Sequence, residues 1–135
     1  MLEDYKNKFV CIAAGYTRDM MQFLAQNKGL ASRFDEKIYF NDYTPDELYK
    51  IFVNMATKKE FRLDDEALAA VKDLLGRAYA QRDESFGNAR TVRKTLDRAV
   101  KNLSSRVAYD DNISEEELST IKAEDINIIE LEDIL

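Results

Sequence analysis

The side chains best suited to chemistry in this sequence are arginines set beside small residues. Gly87-Asn88-Ala89-Arg90 follows a short acidic loop and opens a long helical stretch, with Arg93 one turn further on. A small-residue loop that delivers a helix start offers free N–H groups and the positive end of the helix macrodipole, and both favour an anion. Asn88 has a side chain able to cap that helix. Arg90 and Arg93 add planar guanidinium forks that match phosphate oxygens. The same spacing also fits a capped helix with solvated arginines, since phosphate loops are usually richer in glycine. Arg33, in Gly29-Leu30-Ala31-Ser32-Arg33-Phe34, is a second candidate. Between a helix and a sheet edge, an arginine can reach a neighbouring molecule's phosphate, as trans-acting fingers do. It can equally pair on the surface with Asp35 or Glu36. Tyr16 follows Gly15 at the end of an apolar run, where ligands bind in open α/β sheets; it could also be an aromatic at the core's edge.

Several chemistries are excluded by what the chain lacks. It has no His and one Cys, so there is no Cys–His pair, no disulfide framework and no ordinary zinc site. Cys11 lies inside the apolar run and reads as a small buried hydrophobe. Glu115-Glu116-Glu117 reads as the acidic first turn of a helix, and no calcium-loop spacing occurs, so no metal site is expected. The 135 residues are 45% hydrophobic and 34% charged with 4 Gly and 1 Pro, which is too apolar for disorder and too poor in turn residues for a many-stranded β fold. No apolar run is long enough to span a bilayer and no signal peptide opens the chain, so a cytoplasmic protein without membrane contact is expected.

Charge is divided unevenly. Residues 1–43 are neutral overall, residues 44–109 carry +3 and residues 110–135 carry −9, against −6 for the whole. The acidic balance therefore describes the last segment, which reads as a solvated or docking tail. Basic residues gather between Arg90 and Arg106. Nucleic-acid binding through Arg90, Arg93, Lys94, Arg98 and Lys101 is discounted, because the acidic end would repel phosphate and no aromatics interleave.

Elements must position these residues. Residues 9–14, Phe-Val-Cys-Ile-Ala-Ala, form an unbroken apolar run that reads as a central parallel strand. Thr17 is placed to cap a short helix through Met20, Met21, Phe23 and Leu24, with Gly29 closing it. Residues 37–40 read as a second strand, giving a βαβ-like unit. Two strands cannot cover both faces of the first, so this part looks like the end of a larger α/β domain. From Thr44 the text is helical. Thr44-Pro45-Asp46-Glu47 is a capping box with Pro at the first helical position. Leu48, Ile51, Phe52 and Met55 form one face. A second helix starts near Asp64 with Leu68, Val71, Leu74, Leu75 and Ala78 inward. The third runs from about Ala89 to Val107, with Val92, Leu96, Val100 and Leu103 inward. Ser114 and Glu117 form another capping box, and residues 123–135 read as a last amphipathic helix.

These pieces form an ordered series: Ala14-Gly15-Tyr16, Met20 and Phe23, the stretch from Asn27 to Phe34, Phe40-Asn41-Asp42-Tyr43-Thr44-Pro45-Asp46-Glu47-Leu48, and Phe86-Gly87-Asn88-Ala89-Arg90 with Val92-Arg93. The series resembles the C-terminal half of an AAA+ ATPase of the CbbX and stage V sporulation protein K type, over about residues 2–126. The resemblance implies a mostly α fold. Residues 1–43 would be a partial β-α-β remnant of the α/β ATPase subdomain, residues 44–109 the helical lid, and residues 110–135 an acidic helical tail. It implies a ring, usually a hexamer, that couples ATP hydrolysis to remodelling of a partner protein. By the same resemblance Arg33 matches the trans-acting arginine finger. Arg90, with Gly87, Asn88 and Arg93, matches the sensor-2 arginine and its surroundings, and Tyr16 stands at the sensor-1 strand end, where many relatives carry Asn or Thr.

The sequence departs from that family in lacking a G-x-x-x-x-G-K-[ST] loop and a strand ending in Asp-Glu. ATP and Mg²⁺ are therefore expected in a full-length parent, with neither bound tightly and no turnover in this chain alone. The partners so implied are a missing N-terminal ATPase core, neighbouring ring subunits and a protein substrate, with self-association through exposed strand edges. The alternative reading is a non-enzymatic helical protein-interaction module.

Overall fold

The computed structural model describes residues 9–135. It divides into two compact units, one ending at Phe40 and one running from Asn41 to Leu135.

In the first unit the described residues hold two helices, α1 (Thr17–Gln26) and α2 (Lys28–Ala31), and no strand. The strands expected at residues 9–14 and 37–40 are not formed. A strand is held by ladder hydrogen bonds to a neighbour, and the described residues supply none there. Both segments are exposed instead, with Val10 at 86%, Ile12 at 85% and Phe40 at 91%. Cys11 is likewise exposed and not a core residue, and the described residues of the first unit offer no strand edge for the expected self-association. Helix α1 starts at Thr17 with Tyr16 in the N-cap position and no side-chain cap, and Gly29 lies inside α2 and does not close α1.

The second unit is built on three long helices. The capping box forms as the sequence predicts: the Glu47 amide donates to Thr44 Oγ1 at 3.3 Å, and the Thr44 amide donates to Glu47 Oε2 at 2.8 Å. It starts α3 (Pro45–Lys58), which buries Leu48, Phe52 and Ala56. Ile51 and Met55, expected on that face, are half-buried at its margin. The helix ends with Glu60 at φ 63. The amide of Phe61 donates to Ala56 O and that of Glu60 to Thr57 O, the two bonds of a Schellman closure. Asp64 accepts the Ala67 amide at 2.8 Å and caps α4 (Asp65–Ala80), which buries Ala67, Val71, Leu74, Leu75 and Ala78. The third long helix, α5 (Ala89–Val107), turns Thr91, Val92, Thr95, Leu96, Ala99 and Leu103 inward. Among the described residues no helix is long and apolar enough to cross a membrane.

Residues 110–135 belong to this unit and do not hang free of it. The Ser114–Glu117 capping box starts α6 (Glu115–Ser119). Between α3 and α4 the chain forms β1 (Arg62–Leu63), which pairs in parallel with β2 (Thr120–Ile121), Arg62 opposite Thr120 and Leu63 opposite Ile121. Beyond β2, α7 (Ala123–Asn127) packs on α4 and α5, and α8 (Leu131–Ile134) follows on the same pair. The single helix expected over 123–135 is thus broken. The β-branched pair Ile128-Ile129 stands at the joint, where helix propensity is low, and Glu130 takes extended backbone. Ile121, Ile126, Ile129 and Ile134 all enter the core. One of the segment's acids goes in with them: Asp125 is 2% exposed and meets Arg106 through Nε–Oδ1 and Nη2–Oδ2, both 2.9 Å. This bidentate bond holds the Arg106 guanidinium still more firmly in its charged form, against the opposing effect of desolvation.

Candidate functional site

The site is built at the start of α5. Gly87 is required there by close approach: a Cβ on it would lie 2.8 Å from Thr91 Oγ1 and 3.3 Å from the Thr91 amide nitrogen. Thr91 faces the core and its hydroxyl oxygen has no hydrogen-bond partner, so it is held by packing alone. The next residue, Asn88, sits at φ 49 and ψ −116, a left-handed backbone that favours glycine. From there the Arg90 amide donates to Gly87 O at 2.8 Å and the Val92 amide to Asn88 O at 3.2 Å.

Asn88 does not cap α5 with its side chain, contrary to the expectation from sequence. Its Oδ1 accepts the Tyr43 amide at 2.8 Å, and its Nδ2 donates to Asp42 Oδ1 at 2.8 Å and to Phe86 O at 3.2 Å. Asp42 Oδ2 in turn accepts Arg82 Nε at 3.2 Å. Arg82 lies flat over the Tyr79 ring, 3.6 Å from its centroid, and donates to Tyr79 O. Tyr79 meets Phe86 edge-on, with ring centroids 6.4 Å apart. The small-residue loop is thus braced from α4 and from the segment leading into α3. In the same loop the Ser85 hydroxyl and amide both donate to Asp83, and these bonds hold its carboxyl below the usual aspartate range.

The structure brings Gly87, Asn88, Arg90 and Arg93 together at this helix start. Arg90 and Arg93 are exposed, and neither joins an ion pair among the described residues. Three other basic residues of α5 are engaged: Arg98 pairs with Asp133 at 3.1 Å, Lys94 Nζ donates to Leu135 O at 3.2 Å and Arg106 pairs with Asp125. Arg33 and Tyr16 belong to the first unit. Arg33 follows α2 and its Nη1 donates to Gly29 O at 3.2 Å; Tyr16 precedes α1 and is 54% exposed. No group of His, Cys, Asp and Glu among the described residues is arranged to hold a metal ion. Sequence reasoning missed Asp42, Arg82 and the Tyr43 amide. Their link to Asn88 spans more than forty residues of chain and leaves no periodic trace.

Chemically, the arrangement presents two exposed guanidinium groups beside the positive end of a 19-residue helix. Groups of that kind complement the charge of an oxyanion.

The sequence model of a family described as the AAA lid domain matches residues 44–133. Stage V sporulation protein K of Bacillus subtilis (strain 168) is 35% identical over 130 residues, which cover 96% of this chain and 40% of that protein. The chromosomal protein CbxX of Cupriavidus necator is 37% identical, with 93% and 40% covered. The chloroplastic ribulose bisphosphate carboxylase/oxygenase activase of Cyanidioschyzon merolae is 35% identical, with 93% and 43% covered. The chain spans about two fifths of the length of these relatives.

Proposed function

The chain belongs to the AAA lid domain family, and from that premise we propose that it is the lid and sensor part of a ring-forming AAA+ ATPase that remodels a partner protein. The observation that carries the reading is Arg90: exposed, outside any ion pair among the described residues, and set at the start of α5 by Gly87 and Asn88. A guanidinium so placed meets a γ-phosphate when ATP is present and loses it on hydrolysis, and the lid moves accordingly. Arg93 adds a second fork. Arg33 acts in trans on the neighbouring subunit's nucleotide, and Tyr16 stands at the sensor-1 position.

The donors in this chain fit a phosphate. They do not fit Mg²⁺, so the metal and the cradle for the other phosphates are assigned to an N-terminal ATPase core, and the 135-residue chain alone turns over no ATP. The protein substrate is of the kind handled by relatives, one of which is by name a ribulose bisphosphate carboxylase/oxygenase activase.

The test uses mixed rings of the full-length ATPase, in which each arginine variant is combined with a subunit whose phosphate loop is disabled. Arg33→Ala subunits should be inactive as pure rings and regain activity beside the disabled subunit, because their own pockets then receive a normal finger. Arg90→Ala subunits should stay inactive in either company. Equal behaviour of the two mixtures would show that the roles are misassigned. ATP turnover by the isolated chain, surviving further purification, would overturn the division of labour.

A further inference from the structure

Asn88 makes three side-chain hydrogen bonds and none of them caps its own helix. It also holds a backbone conformation that glycine would adopt without strain. Strain of that kind persists where surrounding contacts over-determine it, and here the contacts are those of the side chain. They lead to residues 42 and 43, the last stretch before the Thr44 capping box. Asp42 is itself fixed by Arg82, which Tyr79 pins by stacking. Meanwhile the backbone of Asn88 belongs to the first turn of α5, accepting from the Val92 amide beside Arg90. One residue therefore grips the lead-in segment with its side chain and starts the arginine-bearing helix with its backbone.

We propose that Asn88 is a positioning residue that, with Asp42, latches segment 41–44 to the start of α5, so that this segment and the Arg90 end of the helix open and move as one body. The covalent lead-in to the lid then follows whatever Arg90 binds. The functional consequence rests on the reading of Arg90 given above; the latch itself does not. The proposal also removes Asn88 from the phosphate-binding set, since its side chain is committed elsewhere.

The deciding measurement is amide hydrogen exchange on this chain, followed by NMR at Tyr43 and Arg90, whose N–H groups bond to Asn88 Oδ1 and Gly87 O. In Asn88→Gly the latch is lost while the backbone strain is relieved. Both amides should exchange about tenfold faster or more, by the same factor, with Leu74 and Leu96 unchanged. A residue kept only for its backbone shape predicts the reverse, unchanged or slower exchange in Asn88→Gly, and that result overturns the latch. Asn88→Asp sets two carboxylates against each other and should open both amides. Adding Asp42→Asn restores a donor facing an acceptor and should return Tyr43 to within about threefold of the native rate; failure of this rescue counts against the pairing. In the full-length ATPase, Asn88→Gly should lower kcat about tenfold with the KM for ATP within about twofold. A raised KM with unchanged kcat would make Asn88 a phosphate ligand and refute the proposal. A native ring without ATP turnover would defeat the reading of Arg90, and the exchange rates alone would then judge the latch.

Discussion

Breaking the Arg106–Asp125 pair should be strongly asymmetric. Asp125 is 2% exposed and accepts from Arg106 Nε, Arg106 Nη2 and the Lys122 amide, each at 2.9 Å. The Arg106 side chain is 21% exposed, also donates to Thr120 O at 3.2 Å and has a second ion-pair partner in Glu124 Oε1 at 3.3 Å. Arg106→Met therefore strands a buried carboxylate with one backbone N–H, and the usual cost of such a break is about 3–5 kcal/mol. Asp125→Asn leaves a guanidinium that still reaches Glu124, Thr120 and water, and about 1–3 kcal/mol is expected. Arg106→Met with Asp125→Leu removes both charges and should recover a good part of the larger loss. The pair is not the segment's sole anchor. Ile121, Ile126, Ile129 and Ile134 are buried beside it, each worth about 1.5–3 kcal/mol of transfer free energy. The single variants should thus lower the urea midpoint with an unchanged slope and one cooperative transition. Truncation after Tyr109 should instead expose α4 and α5 and unfold the unit. Equal losses from the two single variants, or a truncated chain as stable as the whole, would refute this account of the acidic segment.

Three further outcomes are expected. Glu60→Gly should raise stability by about 1 kcal/mol, measured by urea unfolding, because Glu60 bears a left-handed φ of 63 that costs an ordinary residue about that much. Gly87→Ala should lower it by about 1–3 kcal/mol in the same assay, since the new Cβ would press on Thr91 at 2.8 Å and Thr91 is packed in the core. Ser85→Ala should move the Asp83 carboxyl titration upward toward its ordinary value, followed by carboxyl-carbon NMR. A lowered folded-state pKa stabilises above the unfolded pKa and is lost as pH falls through the folded one, so the variant should also flatten that small acid-side dependence.

Local signals made most of the second unit legible. The Thr44–Glu47 box, the Asp64 cap and the Gly87-Asn88 break each act within a few residues, and the start of every long helix falls where they place it. The misses need partners that sequence does not display. Residues 9–14 read as a strand, but a strand exists only beside another, and among the described residues there is none for it. The β1–β2 pair joins segments far apart in the chain through two residues each, too few for any pattern. Net charge concealed the role of residues 110–135: a sum of −9 averages over faces, while four isoleucines and Asp125 point inward. At the site, the place of Arg90 was readable from the loop before it. The partners of Asn88 were not, because they depend on where residues 42 and 43 return in space.

The packed acidic segment also acts on the helix that carries the site. Helix α5 carries a basic row, and a row of like charge would spread its pull on an anion along the whole helix. The C-terminal segment takes up the far part of that row: Asp125 and Glu124 hold Arg106, Asp133 holds Arg98, and the carbonyl of Leu135 holds Lys94. Lys101 lines the same groove as Asp97, Arg98 and Asp133. Arg90 and Arg93 are left outside these pairs, at the end where the helix macrodipole is positive. The ion pairs at Arg98 and Arg106 lower the positive potential of the distal part of α5 and so weight it toward the Arg90 end. The segment that makes the chain acidic overall thereby weights the basic row toward its Arg90 end.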